Sequence, residues 1–165
     1  MQDHCWGMTE ADFNPDDVVL PALLRHARGS YGNAIRMSLA KAGFDDMPRN
    51  GSYVLGGLVN HGGKVHGLAG ELRVSKQAAS QLIDTLVIRG YLERRENPED
   101  RRRIDVEPTE RGRAAAAAIR AGVLSVDAEL AKAITPEQMA GLREGLWALI
   151  GIRDHLDERL AAHTH

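Results

Sequence analysis

Cysteine is nearly absent from this chain. Cys5 is the single one among 165 residues, which excludes an intramolecular disulfide and fits a reducing cytoplasm. Nor does any apolar run approach the length of a membrane span, and an N-terminus carrying Asp3, Glu10 and Asp12 lacks the basic and apolar parts of a signal peptide. A soluble cytoplasmic protein with no membrane partner is therefore expected. The sequence has no glycine-rich phosphate loop, nucleophile elbow or metallohydrolase motif, so no enzyme is expected. It has no internal repeat at solenoid periods. Seven histidines are present but dispersed. His4 lies beside Cys5 near the start, His61 and His66 bracket a glycine-rich corner, and His163 and His165 end the chain; none forms a zinc-ligand spacing. Neither a metal nor another cofactor is expected.

What is present suffices for a core, because 43% of the residues are hydrophobic at a length of about one domain. A formal charge of −2 argues at first against a nucleic-acid partner. The distribution reverses that argument. Between Arg73 and Arg103 there are eight Lys or Arg against five Asp or Glu, whereas residues 1–72 and 104–165 are each net acidic. Basic excess is thus confined to one segment, and the acidic remainder discourages indiscriminate binding elsewhere.

That segment opens on a helix signal. Ser75 stands before an apolar-periodic stretch and its hydroxyl can accept a backbone N–H of the first turn. The spacing of Ala79, Leu82, Ile83, Leu86 and Val87 predicts a helix from Ser75 to Arg89 with one buried stripe. Its other face carries Lys76, Gln77, Ser80, Gln81, Asp84 and Thr85, groups able to hydrogen-bond base edges or phosphates, or simply water. Gly90 is placed to end the helix. Upstream, Val65 to Leu72 reads as a short helix with Leu68, Ala69 and Leu72 inward, bracing the second at a tight corner.

After Gly90 come strands expected at Leu92–Glu96 and Arg103–Glu107, joined across Asn97-Pro98, a turn signal. Arg94, Arg95, Arg101, Arg102 and Arg103 lie in or beside this ribbon. A planar guanidinium grips phosphate oxygens in pairs or enters a narrow minor groove. The competing reading is a salt-bridged hairpin, since Glu93, Glu96, Glu99 and Asp100 sit among the arginines. Pro108 is expected to end the second strand early because proline cannot donate to a ladder.

The stretch SKQAASQLIDTLVIRGYLERRENPEDRRRIDVEPTERGR resembles the signature region of the MarR family of transcriptional regulators. Asp100 and Arg102 match the Asp-x-Arg of that family's wing tip, and Thr109-Glu110-Arg111-Gly112 matches the start of its next helix. The likeness covers about residues 48–113, with Arg73 where helix-turn-helix corners often use glycine. It implies a mostly α protein with a small β-hairpin wing, a winged helix-turn-helix flanked by dimerisation helices.

Outside the matched region the organisation is helical. Residues 1–16 lack periodicity and read as a flexible arm. Residues 17–47 read as an N-terminal dimerisation helix, capped by Asp17 and apolar from Val18 through Leu39, with Gly29 and Gly32 weakening it. The winged domain follows over 48–108. It begins with a short apolar helix after Pro48, interrupted by Gly56-Gly57. Residues 109–165 read as C-terminal dimerisation helices, the first capped by Thr109 and passing through five successive alanines, Ala114 to Ala118, taken as helix propensity alone. Thr135-Pro136-Glu137-Gln138 starts the last helix, whose band from Leu142 to Leu160 exceeds what a small core can cover. A second copy would cover it, and a compact monomeric cap is the alternative.

The expected function is a dimeric, sequence-specific repressor of transcription that reads a pseudo-palindromic site in double-stranded DNA. The recognition residues would be Ser75, Lys76, Gln77, Ser80 and Gln81, and the wing residues Arg94, Arg95, Asp100, Arg101, Arg102 and Arg103. The resemblance also implies a small lipophilic or phenolic effector between dimer helices and winged domain, where Tyr31, Met37, Tyr53 and His61 could lie. The alternatives are a winged protein-interaction module that binds no DNA, or a regulator responding to metal or to oxidation of Cys5. A sensing thiol needs electropositive neighbours, and the nearest charge to Cys5 is Asp3.

Overall fold

The computed structural model of the protein describes Asn14 and residues 17–60, 75–97 and 104–163. The elements run α1 (Leu20–Lys41), α2 (Gly51–Asn60), α3 (Lys76–Ile88), β1 (Leu92–Glu96), β2 (Ile104–Pro108), α4 (Glu110–Ala133) and α5 (Pro136–Ala162). The architecture is mostly helical, with one antiparallel two-stranded ribbon among the described residues. The bracing helix expected at Val65–Leu72, the arm apart from Asn14, and the wing tip lie outside them.

The chain divides into two compact units, Met1–Val123 and Leu124–His165. In the first, the core gathers around Val54 and Leu55 of α2, Leu86 of α3, Tyr91 and Leu92 at the root of the ribbon, and Ala115 and Ile119 of α4. Each fully buried Leu here contributes about 1.5–3 kcal/mol relative to an exposed one. Those contacts explain why Gly56-Gly57 does not interrupt α2: burial of Val54 and Leu55 outweighs the roughly 1 kcal/mol that each glycine costs a helix.

The alanines of α4 do more than favour a helix. Ala115, Ala116 and Ala118 are buried together with Gly112 and Gly122, forming a face of small residues onto which other backbone packs closely. At Gly122 a Cβ would stand 2.8 Å from the Cα of Ile35, so α1 crosses α4 backbone to backbone. The Ser38 hydroxyl donates to the Ala118 carbonyl at 2.7 Å beside this crossing.

Helix starts follow local chemistry. Ser75 caps α3 as expected, its Oγ accepting the Ala78 N–H at 3.1 Å. Thr109 caps α4, accepting the Gly112 N–H at 3.0 Å. Asp17, however, does not cap α1. The helix begins at Leu20 behind Val19, which makes no side-chain cap bond, and Pro21 lies in the first turn. Proline fixes φ near the helical value and has no N–H to satisfy, so it sets the start without a cap.

β2 runs one residue past its expected end at Glu107, through Pro108, which sits opposite Leu92. Thr109 N–H donates to the Tyr91 carbonyl at 3.1 Å, which makes Tyr91 and Thr109 a hydrogen-bonded pair. Alternation then makes Leu92 and Pro108 a non-hydrogen-bonded pair. Proline's missing donor faces away from β1, so the strand need not stop before it.

The second unit holds the end of α4 and α5. Thr135 and Gln138 form a reciprocal capping box, and Glu137 in the same first turn has its carboxyl pKa lowered by backbone N–H groups and the Thr135 hydroxyl. No residue of α5 is buried; Leu142, Leu146, Trp147, Ile150, Ile152, Leu156 and Leu160 are all exposed.

Candidate nucleic-acid interface and the cleft beside it

Helix α3 has two unlike faces. Ala79 and Leu86 are buried and Leu82, Ile83 and Val87 pack against the core, while Lys76, Gln77, Ser80 and Gln81 are exposed. The buried set anchors the helix and leaves the polar set for an external partner. Positive φ at Gly90, 71°, turns the chain out of α3 and into β1 within one residue of Tyr91.

At the root of the ribbon the arginines are engaged. Arg94 pairs with Asp84 of α3, and Arg95 with Glu93 at 2.7 Å and Glu107 at 3.7 Å. The Asn97 amide donates to Asp105 at 2.7 Å, closing the ribbon before its tip. Asp100, Arg101, Arg102 and Arg103 lie outside the described residues. All of the engaged arginine side chains remain substantially exposed, so these pairs orient the ribbon against α3 at small net energy.

Two features go beyond the sequence reading. The first is a clasp at the corner between α1 and α2. The Asp46 carboxylate accepts from the Tyr91 hydroxyl and, at 2.8 Å, from Arg111. The Arg89 guanidinium donates to the Asp46 carbonyl. Arg111 lies over the Tyr91 ring at 4.6 Å and the Phe44 ring at 5.4 Å. The hydrogen bond from Tyr91, reinforced by the Arg111 charge against some desolvation, holds the Asp46 carboxyl below the usual range. Burial, with the same bond to Asp46, pushes the Tyr91 hydroxyl up.

The second is a cleft of about 720 Å³ between α1 and the corner leading to α2. Arg25, Arg28 and Arg36 of α1 and Arg49 of the corner line it, against one acid, Asp45. Gly29 and Gly32 also line it, and a Cβ at either would meet nothing within 4 Å. Tyr53 stands at the wall, its hydroxyl accepting from Arg28 Nε at 3.1 Å. Of the residues expected around an effector, Tyr53 thus lines the cleft; Tyr31 and Met37 do not, and His61 lies outside the described residues. A signal for the cleft did exist. Arg25, Arg28, Gly29, Gly32 and Arg36 recur at steps of three, four and seven, one stripe of a helix, but a stripe of arginine and glycine is not an apolar one.

Among the described residues no group of His, Cys, Asp and Glu is placed to hold a metal ion, and no helix is long and apolar enough to cross a membrane.

A capped helix with its apolar side in the core, followed through a left-handed glycine by an antiparallel ribbon and a further helix, defines a winged helix. Residues 45–103 match the family model described as MarR family. Among solved structures, the fold matches a MarR family transcription regulator at 24% identity and a TM-score of 0.66, covering 84% of this chain and 88% of that one. It also matches apo MarR of E. coli at 22% identity, with a TM-score of 0.57 and coverage of 80% and 96%. A third is the S. aureus MepR–DNA complex, at 16% identity, a TM-score of 0.66 and coverage of 82% and 97%. No curated protein matches. The winged core, residues 45–103, is thus similar to the MarR family, on a fold that MarR-family regulators share.

Proposed function

We propose that this protein is a dimeric, cytoplasmic transcriptional repressor that reads a pseudo-palindromic DNA site and is released from it by a small effector. The observation that carries the proposal is the division of α3, which commits Ala79 and Leu86 to the core and leaves Lys76, Gln77, Ser80 and Gln81 exposed on the face of a capped helix. Polar, hydrogen-bonding side chains at a helix N-terminus suit the major groove. That the solved relative MepR has been crystallised with DNA supports the reading. Dimerisation is supported by the apolar residues of α5, exposed along its length and more extensive than a soluble monomer ordinarily leaves to water.

The effector would occupy the cleft along α1. A phenolic or lipophilic body suits Phe44, Met47 and Tyr53, and the arginine-rich wall favours one that also carries an acidic group. Fluorescence anisotropy with duplex from beside the protein's own gene, against a scrambled duplex, tests the core of the proposal: specific binding supports it, and equal or absent binding refutes it. The pairing of Arg94 and Arg95 with acids favours the second reading, a protein-interaction module, in which no duplex binds.

A further inference from the structure

The corner from Ala42 to Asn50 has two sides with different partners. Phe44, Asp45, Met47 and Pro48 line the arginine-rich cleft. Asp46, between them, turns to the clasp. Through one residue the corner is tied to three separate elements: Arg89 just past the end of α3, Tyr91 just before β1, and Arg111 in the first turn of α4. Tyr91 is fully buried, so its ring cannot move without the core, and its hydroxyl hydrogen-bonds both Asp46 and Arg111. Phe44 belongs to both sides, lining the cleft while lying 6.1 Å from the Tyr91 ring and under Arg111.

We propose that Asp46 is a positioning residue that transmits occupancy of the α1 cleft to the end of α3 and the root of the ribbon. This inference rests on the reading of α3 and the ribbon as the DNA-contacting elements. A group filling the cleft bears on Phe44 and Met47, which line it, and the corner between them carries Asp46. Because Asp46 holds Arg89 through its backbone carbonyl and Tyr91 and Arg111 through its carboxylate, the displacement moves the recognition helix and the ribbon together rather than dissipating in a loop. Packed elements of this kind shift between discrete arrangements.

The test installs the occupant covalently, so it needs no effector. Gly32 lines the cleft and has open space at its Cβ, so Gly32→Phe projects a ring into it, while Gly32→Ala adds only a methyl. Hydrogen exchange of the 86–96 segment is measured in the full-length protein with Asp46 intact, with Asp46→Ala, and with Tyr91→Phe, which keeps the buried ring and removes the hydroxyl. With Asp46 intact, Gly32→Phe should change exchange in this segment by about fivefold or more, and Gly32→Ala should not. In the Asp46→Ala and Tyr91→Phe backgrounds, where the Arg89 bond to the backbone carbonyl of residue 46 remains, the change should fall by about twofold or more. A purely structural Asp46 would alter exchange by itself but leave the effect of Gly32→Phe the same in every background; that result, or no effect of Gly32→Phe with Asp46 intact, overturns the proposal. Anisotropy on the same variants separates this failure from failure of the function. If no duplex binds while the exchange coupling persists, Asp46 is the transmitter and DNA reading is what fails.

Discussion

Gly112 leaves no room for a side chain against Tyr91: a Cβ there would lie 2.0 Å from the Tyr91 carbonyl oxygen and 3.4 Å from Leu55. The same carbonyl accepts the Thr109 N–H, and the Thr109 hydroxyl donates to the Gly90 carbonyl at 2.6 Å. The first turn of α4 is thereby locked to the root of the ribbon. The glycine of the Thr-Glu-Arg-Gly motif is thus a steric requirement of the junction.

Replacement there should be costly. Gly112→Ala is expected to lower stability by about 1–3 kcal/mol, as overpacking against backbone does. Gly29→Ala, with open space around it, should instead be neutral or stabilising by about 0.4–1 kcal/mol. Urea unfolding of the two variants checks both, and a neutral Gly112→Ala would contradict the packing described.

The clasp predicts a pH dependence. The Asp46 carboxyl is held low, chiefly by Tyr91, so its contribution is present above the ordinary carboxylate pKa of about 3.9 and is lost as pH falls through the lower folded value. Tyr91 is raised, chiefly by burial, so its contribution is complete below the ordinary tyrosine value of about 10 and is lost as pH rises through the higher folded value. Between roughly pH 5 and 9 the clasp should be constant. The gap in urea midpoint between the parent and Asp46→Asn should therefore persist from pH 7 to 5 and close in more acid solution. A gap independent of pH would show that the carboxylate charge contributes nothing.

Sedimentation at micromolar concentration should give twice the chain mass without DNA, because the exposed Leu142, Leu146, Trp147 and Ile150 need a cover. A stable monomer would remove the dimer and with it the case for paired half-sites about 10 bp apart.

Arg102 should act through charge rather than sequence. Arg102→Ala is expected to weaken binding to operator and random duplex together and to reduce the salt slope by about one unit for each phosphate that the side chain no longer neutralises. Unchanged affinities and slope would exclude the wing as a DNA-binding element.

How far the fold is legible in the sequence depends on whether its signals are local. The cap at Ser75, the stripe of Ala79 and Leu86 and the turn at Gly90 are set by neighbours in sequence, and each lies where periodicity and capping put it. The start of α1 departs from its capping signal because proline outweighs the aspartate. The small-residue face of α4 reads as propensity alone, since its meaning depends on Ile35, far off in sequence. The clasp joins Asp46 to Tyr91 and Arg111 across 45 and 65 residues, and nothing adjacent to Asp46 marks it as a partner of either. Likewise the arginines along α1 acquire meaning only when Arg49 of the corner and Tyr53 of α2 close over them.

The recognition face of α3 is tested most directly by Gln77→Ala and Gln81→Ala in anisotropy titrations against operator and scrambled duplexes across a salt series. Glutamine can pair with adenine through two hydrogen bonds, and both side chains are exposed at the N-terminal half of a capped helix. Each substitution should cost about 1–3 kcal/mol on the operator while leaving scrambled duplex and the salt slope nearly unchanged. Equal loss on both duplexes, or no loss on the operator, would contradict the assignment of α3 as the helix that reads sequence.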